Sequence, residues 1–105
     1  MEDLDFDWHE IKRLRNLRDH EVDFYDAVKI WADPRRQERL DNRHEYGESR
    51  WQTIGMTHFK VLFVVYTDRS FPDGGEVTWI VSARLAEKWE IELYLTSKFA
   101  LGRLS

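Results

Sequence analysis

An unbroken apolar run in the middle of the chain, Val61–Tyr66, limits the possible folds more than any other feature. Its residues are β-branched, aromatic or leucine, and most of these types favour strands over helices. A strand with no polar position on either side is typical of the buried interior of a sheet. We therefore predict that this run forms the central strand.

Further strands are predicted on both sides of this run. Arg50–Met56 precedes it across a short turn, and Glu76–Ala83 follows it after a turn rich in Pro and Gly, Asp68–Gly75. Arg35–Asp41 is ambiguous because it is mostly polar, although it would suit an edge strand with charged faces. The short connections predict an antiparallel sheet of three or four strands.

A first helix is predicted before the sheet, from Trp8 to Asp19. Asp7 suits its N-cap, Glu10 completes a capping box, and Phe6 with Ile11 fits a hydrophobic staple. Three apolar residues are expected on its packed side: Ile11, Leu14 and Leu17.

Two more helices complete the predicted order. Asp23 suits the N-cap of the second helix, and Pro34 ends it. A C-terminal helix is expected over 85–97, directly after the predicted strand Glu76–Ala83. Two helices, a sheet and a final helix predict an α+β fold, with one domain spanning residues 1–105.

Composition narrows the class of protein. The 105 residues contain no cysteine, which excludes disulfides and thiolate metal sites. No apolar run approaches the roughly 20 residues that cross a bilayer, and the acidic N-terminus does not resemble a signal peptide. We therefore expect a cytoplasmic protein without a membrane partner.

The distribution of charge limits how the chain could attract nucleic acid. The formal net charge is −4, yet the first ten residues hold five acidic side chains and no Lys or Arg. The rest of the chain is nearly neutral and offers no strong general attraction to phosphate. Any nucleic-acid site must arise from local clustering, which is densest at Arg35, Arg36, Arg39, Arg43 and His44.

The sequence shows no metal or cofactor motif. The four histidines lack metal-ligand spacing, and Gly74 with Gly75 suits a turn rather than a phosphate loop. We expect no metal and no cofactor, so catalysis would be metal-free acid–base chemistry. RNA permits it, because a 2′-hydroxyl attacks the neighbouring phosphate when a base, an acid and stabilising cations are in place.

Side chains of the required types are spread along the chain. Arg50 starts a predicted strand, and Arg69 and Arg84 end two others, so all three are expected to project beyond the sheet. The full set of candidates is Lys12, His20, His44, Glu48, Arg50, Arg69 and Arg84.

Each candidate also has a purely structural interpretation. Lys12 would belong to a solvated helix face, His20 would interact with a helix dipole, and Glu48 with Arg50 would form an ordinary salt bridge. Arg84 at a helix N-terminus would be electrostatically unfavourable, which favours a buried partner or a functional role.

Taken in order, short motifs between residues 6 and 94 resemble the BrnT family, toxins of type II toxin–antitoxin systems with a RelE-like ribonuclease fold. Early motifs are Phe6-Asp7-Trp8, the four-residue spacing of Lys12, Asn16 and His20, and Val22-Asp23-Phe24 with Ala27 and Asp33. Later motifs are Glu48, Arg50 and Gly55, then Val64–Arg69, and finally Ser82-Ala83-Arg84 with Ala86, Glu90 and Tyr94.

The resemblance implies an RNA-cleaving toxin that inhibits translation and is silenced by a BrnA-like antitoxin. Such antitoxins carry a ribbon-helix-helix part, so operator DNA would be contacted only through the antitoxin. Catalytic roles would fall to His20, Glu48, Arg50 and Arg84, with His20 the first choice for proton transfer and Glu48 or His44 the alternatives. RNA-binding roles would fall to Lys12, Arg43, His44 and Arg69.

One position departs from the family pattern. Trp79 stands where the family usually has an arginine, just before the Ile80–Arg84 segment. This substitution leaves a second interpretation open, in which a catalytically weak or inactive BrnT-like fold serves as an antitoxin-binding module. If the protein is an active nuclease, one cationic pocket must contain Lys12, His20, Arg50 and Arg84.

Overall fold

The computed structural model describes residues 5–43, 45 and 47–101. Within them, five strands form one mixed sheet: β1 (Phe6–Trp8), β2 (Gln37–Asp41), β3 (Arg50–Thr57), β4 (Lys60–Ser70) and β5 (Glu76–Leu85). Their order is β1-β5-β4-β3-β2, with β1 parallel to β5 and all other pairs antiparallel. The position of β4 confirms that Val61–Tyr66 lies in the central strand.

Helices cover both faces of this sheet. In chain order they are α1 (Glu10–His20), α2 (Phe24–Ala27) with a 3-10 helix at Val28–Ala32, and α3 (Lys88–Leu95) with a 3-10 turn at Phe99–Leu101. The α+β class is therefore confirmed, as is Asp23 as the N-cap of α2, where its carboxylate accepts from the Tyr25 N–H. The ambiguous polar segment forms the edge strand β2.

The face under α2 carries the larger core. Phe24 and Ile30 are fully buried against Leu62, Val64 and Ile80. Burial of each such side chain contributes about 1.5–3 kcal/mol to stability. The 3-10 helix approaches β3 so closely that a Cβ on Gly55 would lie 2.9 Å from the Ile30 Cβ. Glycine is required there for packing.

The opposite face carries a smaller core under α3. Tyr94 and Phe99 pack on Ile54, Phe63 and Val65. Phe63 and Phe99 meet edge to face, with ring centroids 6.1 Å apart. Helix α3 is short, so it covers only the part of this face near the start of β4.

Helix α1 lies along the edge of β5, beyond the end of β1. Strand β1 pairs with β5 only as far as Ile80. Further along, the side-chain amide of Asn16 takes over the role of a neighbouring strand by bonding to the backbone of Ala83. A helix therefore completes this sheet edge through one buried polar side chain.

The start of the chain differs from the prediction. Residues Phe6–Trp8 form β1, and α1 begins at Glu10 with His9 as an N-cap that makes no side-chain hydrogen bond. Asp7 is thus no helix cap; its carboxylate accepts from the Trp8 N–H. The local capping signals were outweighed by tertiary pairing of β1 with β5, which places Phe6 against Trp31.

The packed side predicted for α1 is also wrong. Ile11 and Leu14 are 55% and 52% exposed, and Leu17 is 39% exposed. The helix instead turns Asn16 toward the polar backbone edge of β5 and Arg13 toward Asp23.

The end of β5 also differs from the prediction. The strand runs past Ala83 to Leu85, because 82–85 pair with Leu62–Val65 of β4. Helix α3 begins only at Lys88, where Glu87 and Glu90 form a capping box. Arg84 is therefore a strand residue and does not lie at a helix N-terminus. The sheet is mixed and five-stranded within the described residues, rather than antiparallel with three or four strands.

Candidate functional site

Several polar side chains share the face of the sheet that α3 leaves uncovered. Strand alternation places them on the same side as Val65 and Phe63. One row across the sheet contains Arg39, Gln52 and Ser82, and the next contains Arg50, Thr67 and Trp79. Arg69 follows one step further along β4. We call Arg39, Arg50, Gln52, Thr67, Arg69, Trp79 and Ser82 the open sheet face.

Glu48 lies at one end of this face, between two arginines. Its Oε2 accepts from Arg50 Nε at 3.3 Å, and its Oε1 lies 3.9 Å from Arg69 Nη2. The adjoining residue Ser49 is fixed to the sheet, since Thr67 Oγ1 donates to its carbonyl at 2.6 Å. One carboxylate is thus held beside two guanidinium groups, all of them partly exposed.

Trp79 provides a partly exposed aromatic ring on the same face. The Arg69 Cζ atom lies 4.0 Å from the centroid of this ring, a cation–π contact. Trp79 pairs with Thr67 of β4 on one side and with Asp7 of β1 on the other. Its backbone is therefore held from both sides.

Arg39 and Arg43 belong to a network at the β2 side. Arg39 Nε donates to Gln52 Oε1 at 2.7 Å, and its guanidinium lies over Phe99. Arg43 binds both carboxylate oxygens of Asp41 at 2.9 Å. Burial alone would raise the pKa of Asp41, but these hydrogen bonds from Arg43 lower it below its usual range.

Arg84 lies on the same sheet side but is held by α3. Its Nη1 and Nη2 donate to Glu90 Oε1 and Oε2 at 2.8 and 2.9 Å, and its Cζ lies 4.1 Å from the Phe63 ring centroid. The Glu90 side chain is only 2% exposed and also accepts from the Glu87 N–H. Arg84 therefore joins β5 to the first turn of α3.

The predicted single pocket does not form. Register places the Cα atoms of Arg50 and Arg84 about 16 Å apart, two strands and four residues from each other. Lys12 and His20 are exposed on α1, one turn before and after Asn16, at the β5 edge. Neither makes a side-chain hydrogen bond or ion pair with any described residue. The sheet thus brings together Glu48, Arg50 and Arg69, while the other candidates border a wider surface.

The basic cluster predicted around Arg35–His44 divides between the two faces of the sheet. Arg36 lies over Trp31 and bonds to Glu38 and Thr53 on the α2 side, whereas Arg39 faces the α3 side. Arg35 donates to the Leu95 carbonyl and lies over Tyr94. His44 lies outside the described residues. Strand alternation explains why adjacent arginines separate.

Sequence reasoning missed the contributions of Gln52 and Thr67, two buried polar residues of the open sheet face. Strand alternation could have identified them, because it places position 52 on the same face as Arg50 and position 67 on the same face as Arg69. Trp79 was noticed only as a departure from the family, and its orientation could not be read from the sequence.

Within the described ranges, no three His, Cys, Asp or Glu side chains are placed to hold a metal ion. None of the helices in the described part of the chain has the length and hydropathy needed to cross a membrane.

Fold and site together define a small α+β protein whose sheet exposes arginines, an acid and an aromatic ring on one face. The family model described as "Ribonuclease toxin, BrnT, of type II toxin-antitoxin system" matches residues 8–90. The match covers most of the chain, and the protein belongs to the BrnT family, which confirms the resemblance. No curated protein matches the sequence. Membership supports a role as a ribonuclease toxin with an antitoxin partner.

Proposed function

We propose that the protein is a metal-independent endoribonuclease that cleaves RNA on the open sheet face and so inhibits translation in the cytoplasm. The observation that carries the proposal is the position of Glu48 between Arg50 and Arg69. A carboxylate beside two guanidinium groups supplies a proton acceptor and a phosphate-binding pair at one place.

The chemistry would proceed by attack of the RNA 2′-hydroxyl on the adjacent phosphorus. Glu48 would accept the hydroxyl proton, while Arg50 and Arg69 would stabilise the negative charge of the phosphorane. Departure of the 5′-oxygen then breaks the chain and leaves a 2′,3′-cyclic phosphate and a 5′-hydroxyl end. A proton donor must serve the leaving oxygen.

Glu48 replaces His20 as our first choice for the base because of its location. His20 lies on α1, away from the guanidinium pair, whereas Glu48 already contacts both members. His20 and His44 stay as alternatives for the proton donor. Arg43 and Lys12 would contact RNA outside the cleaved linkage, since both side chains are exposed at the borders of the surface.

Arg84 has a different proposed role. Arg84 forms a bidentate ion pair with buried Glu90. This pair supports a role in holding α3 in place rather than in contacting the reacting phosphate. If substitution of Arg84 reduces RNA cleavage, the cause would then be a disturbed contact between β5 and α3. The role predicted from the family, direct phosphate contact, stays a prediction.

The experiment is cleavage of single-stranded RNA by purified protein in EDTA, followed by analysis of the new ends. We expect cyclic phosphate ends from the native protein and a loss of about 10²-fold or more with Glu48→Gln. Glu92→Gln on the exposed side of α3 is the matched control, because it removes one carboxylate away from the open sheet face. Cleavage that depends on a divalent metal would contradict the proposal.

The partner would be a BrnA-like antitoxin with a ribbon-helix-helix part, and operator DNA would be bound through that part. The exposed apolar side of α1, formed by Ile11, Leu14 and Leu17, supports a protein partner. Arg15 and Arg18 lie beside it on the exposed surface of α1. We therefore propose that an apolar segment of the antitoxin with acidic neighbours covers this side.

A second candidate function is antitoxin binding without catalysis. Trp79 in place of the family's arginine favours it, as does the ion pair that holds Arg84 to Glu90. Overexpression in cells separates the two candidates. Growth arrest that Glu48→Gln relieves supports the nuclease, whereas harmless overexpression with tight binding to the product of the neighbouring gene supports the binding module.

A further inference from the structure

We propose that Arg69 and Trp79 form a subsite that stacks an unpaired nucleobase beside the phosphate-binding pair. The inference rests on the proposed function, because it places RNA on the open sheet face. It assigns a role to the tryptophan that departs from the family pattern. The ligand class is a single-stranded RNA base, with purines favoured because they present the larger ring surface.

Trp79 is held rigidly by the sheet. Trp79 lies within β5 and is paired with Thr67 on one side and Asp7 on the other. Because this ring is held by an interior strand, Arg69 packed on it is already ordered and loses little further freedom when a base stacks on it. The partial exposure of Trp79, on the same face as Arg50, leaves it next to the linkage that would be cleaved.

Arg69 lies between the Trp79 ring and the Glu48 carboxylate. At 4.0 Å from the ring centroid, its guanidinium carbon is in van der Waals contact with the indole. One Nη of the same group points to Glu48 at 3.9 Å. The guanidinium thus lies between the Trp79 ring and Glu48, and the proposed base stacks on the part of it that stays exposed. The Arg69 side chain is 42% exposed, as this arrangement requires.

Bases commonly stack on arginine planes and aromatic rings in proteins that recognise single-stranded RNA. A layered order of Trp79, Arg69 and base would place the adjoining phosphate toward Arg50. The replacement of arginine by tryptophan would then exchange one phosphate contact for one base contact. Compared with a protein that has arginine at position 79, the affinity for RNA should depend less on salt concentration and more on the presence of a base.

The test measures binding of short 2′-O-methyl RNA, which cannot be cleaved because its 2′-oxygen is blocked. Two probes are compared, oligoadenylate and the same backbone with abasic positions. We expect Trp79→Ala to weaken binding of oligoadenylate by about tenfold or more and to change binding of the abasic probe little. Trp79→Phe should retain most of the affinity because it keeps an aromatic ring. The slope of affinity against salt should be unchanged in both variants.

Trp89→Ala is the control, since Trp89 is 51% exposed on α3, where its Nε1 bonds to Glu87. Thermal unfolding of each variant shows whether it is folded. Equal weakening of both probes by Trp79→Ala, or no weakening at all, would overturn the subsite while cleavage by the native protein still supports the nuclease. Failure of the native protein to bind either probe would overturn both proposals.

Discussion

Asn16 forms both hydrogen bonds that a neighbouring strand would offer to Ala83. Its Nδ2 donates to the Ala83 carbonyl at 2.7 Å, and its Oδ1 accepts from the Ala83 N–H at 3.1 Å. The same Nδ2 donates to the Val22 carbonyl at 2.8 Å. One amide therefore connects α1, the α1–α2 turn and the edge of β5. Asn16 is one of the residues that carry the family resemblance, and these hydrogen bonds give it a structural role.

Replacement of Asn16 by alanine should destabilise the protein by about 2–4 kcal/mol, because it leaves buried backbone groups of Ala83 and Val22 without partners. Urea unfolding measures the change. Arg15→Ala, an exposed substitution one residue away on α1, should change stability by less than about 0.5 kcal/mol. Equal stability of the two variants would show that the amide contributes little.

Substitution of Arg84 should lower the stability of the fold, and any loss of RNA cleavage should follow from that loss of stability. Arg84→Ala leaves the buried carboxylate of Glu90 without its cation, which costs about 3–5 kcal/mol. The double variant Arg84→Met with Glu90→Gln removes both charges and should recover a large part of that loss. Urea unfolding and RNA cleavage are measured on the same samples. A folded, stable double variant that has lost all cleavage would instead support direct contact of Arg84 with phosphate.

The central features of the fold could be predicted because they depend on local patterns. The apolar run in β4 and the cap at Asp23 are such signals, and both were identified correctly. Strand β1 was missed because three residues pair in parallel with β5, far away in sequence, while their local pattern resembles a helix cap. Pairing between distant segments leaves no trace in a short window.

The sequence predicted which types of residue form the site, but not how they are arranged in space. Glu48 and Arg50 are two residues apart, and their contact was foreseen as a salt bridge. The approach of Arg69 to Glu48 depends on how β3 and β4 align, which the sequence does not specify. The orientation of Trp79 depends on the register of β5 against β4, and the shift near Val65 and Tyr66 alters that register.

Stability should fall at alkaline pH through Tyr94. Burial and its hydrogen bond to Asp33 raise the pKa of Tyr94 to about 12 from a usual value of 10.0. The unfolded chain therefore loses this proton first, and the stabilisation present below pH 10 disappears as the pH rises toward 12. Urea unfolding between pH 8 and 12, compared with Tyr94→Phe, measures the effect. The variant should show a shallower alkaline loss, and identical slopes would contradict the assignment.

Stability should also fall in acid through Asp33. Burial would raise its pKa, but hydrogen bonds from Tyr94 and from the backbone of Arg35 and Met56 lower it below its usual 3.8. Its stabilising effect is thus present above pH 3.8 and is lost as the pH falls through the lowered value. Asp33→Asn should remove this dependence in urea unfolding from pH 2 to 6, whereas Asp26→Asn on the exposed side of α2 should retain it.

Neutralisation by the antitoxin should depend on the exposed side of α1. Leu14→Glu places a charge in the middle of the Ile11, Leu14 and Leu17 surface and repels an acidic partner segment. We expect the affinity for the co-encoded antitoxin to fall by at least tenfold. RNA cleavage should be unchanged, because Leu14 projects from a different side of α1 than Lys12 and His20. Phe59→Glu at the turn between β3 and β4 is the control, since Phe59 is 98% exposed but lies on another part of the surface. Calorimetric titration of each variant with the antitoxin measures the affinity. Native affinity in Leu14→Glu, or equal loss in both variants, would exclude α1 as the docking side.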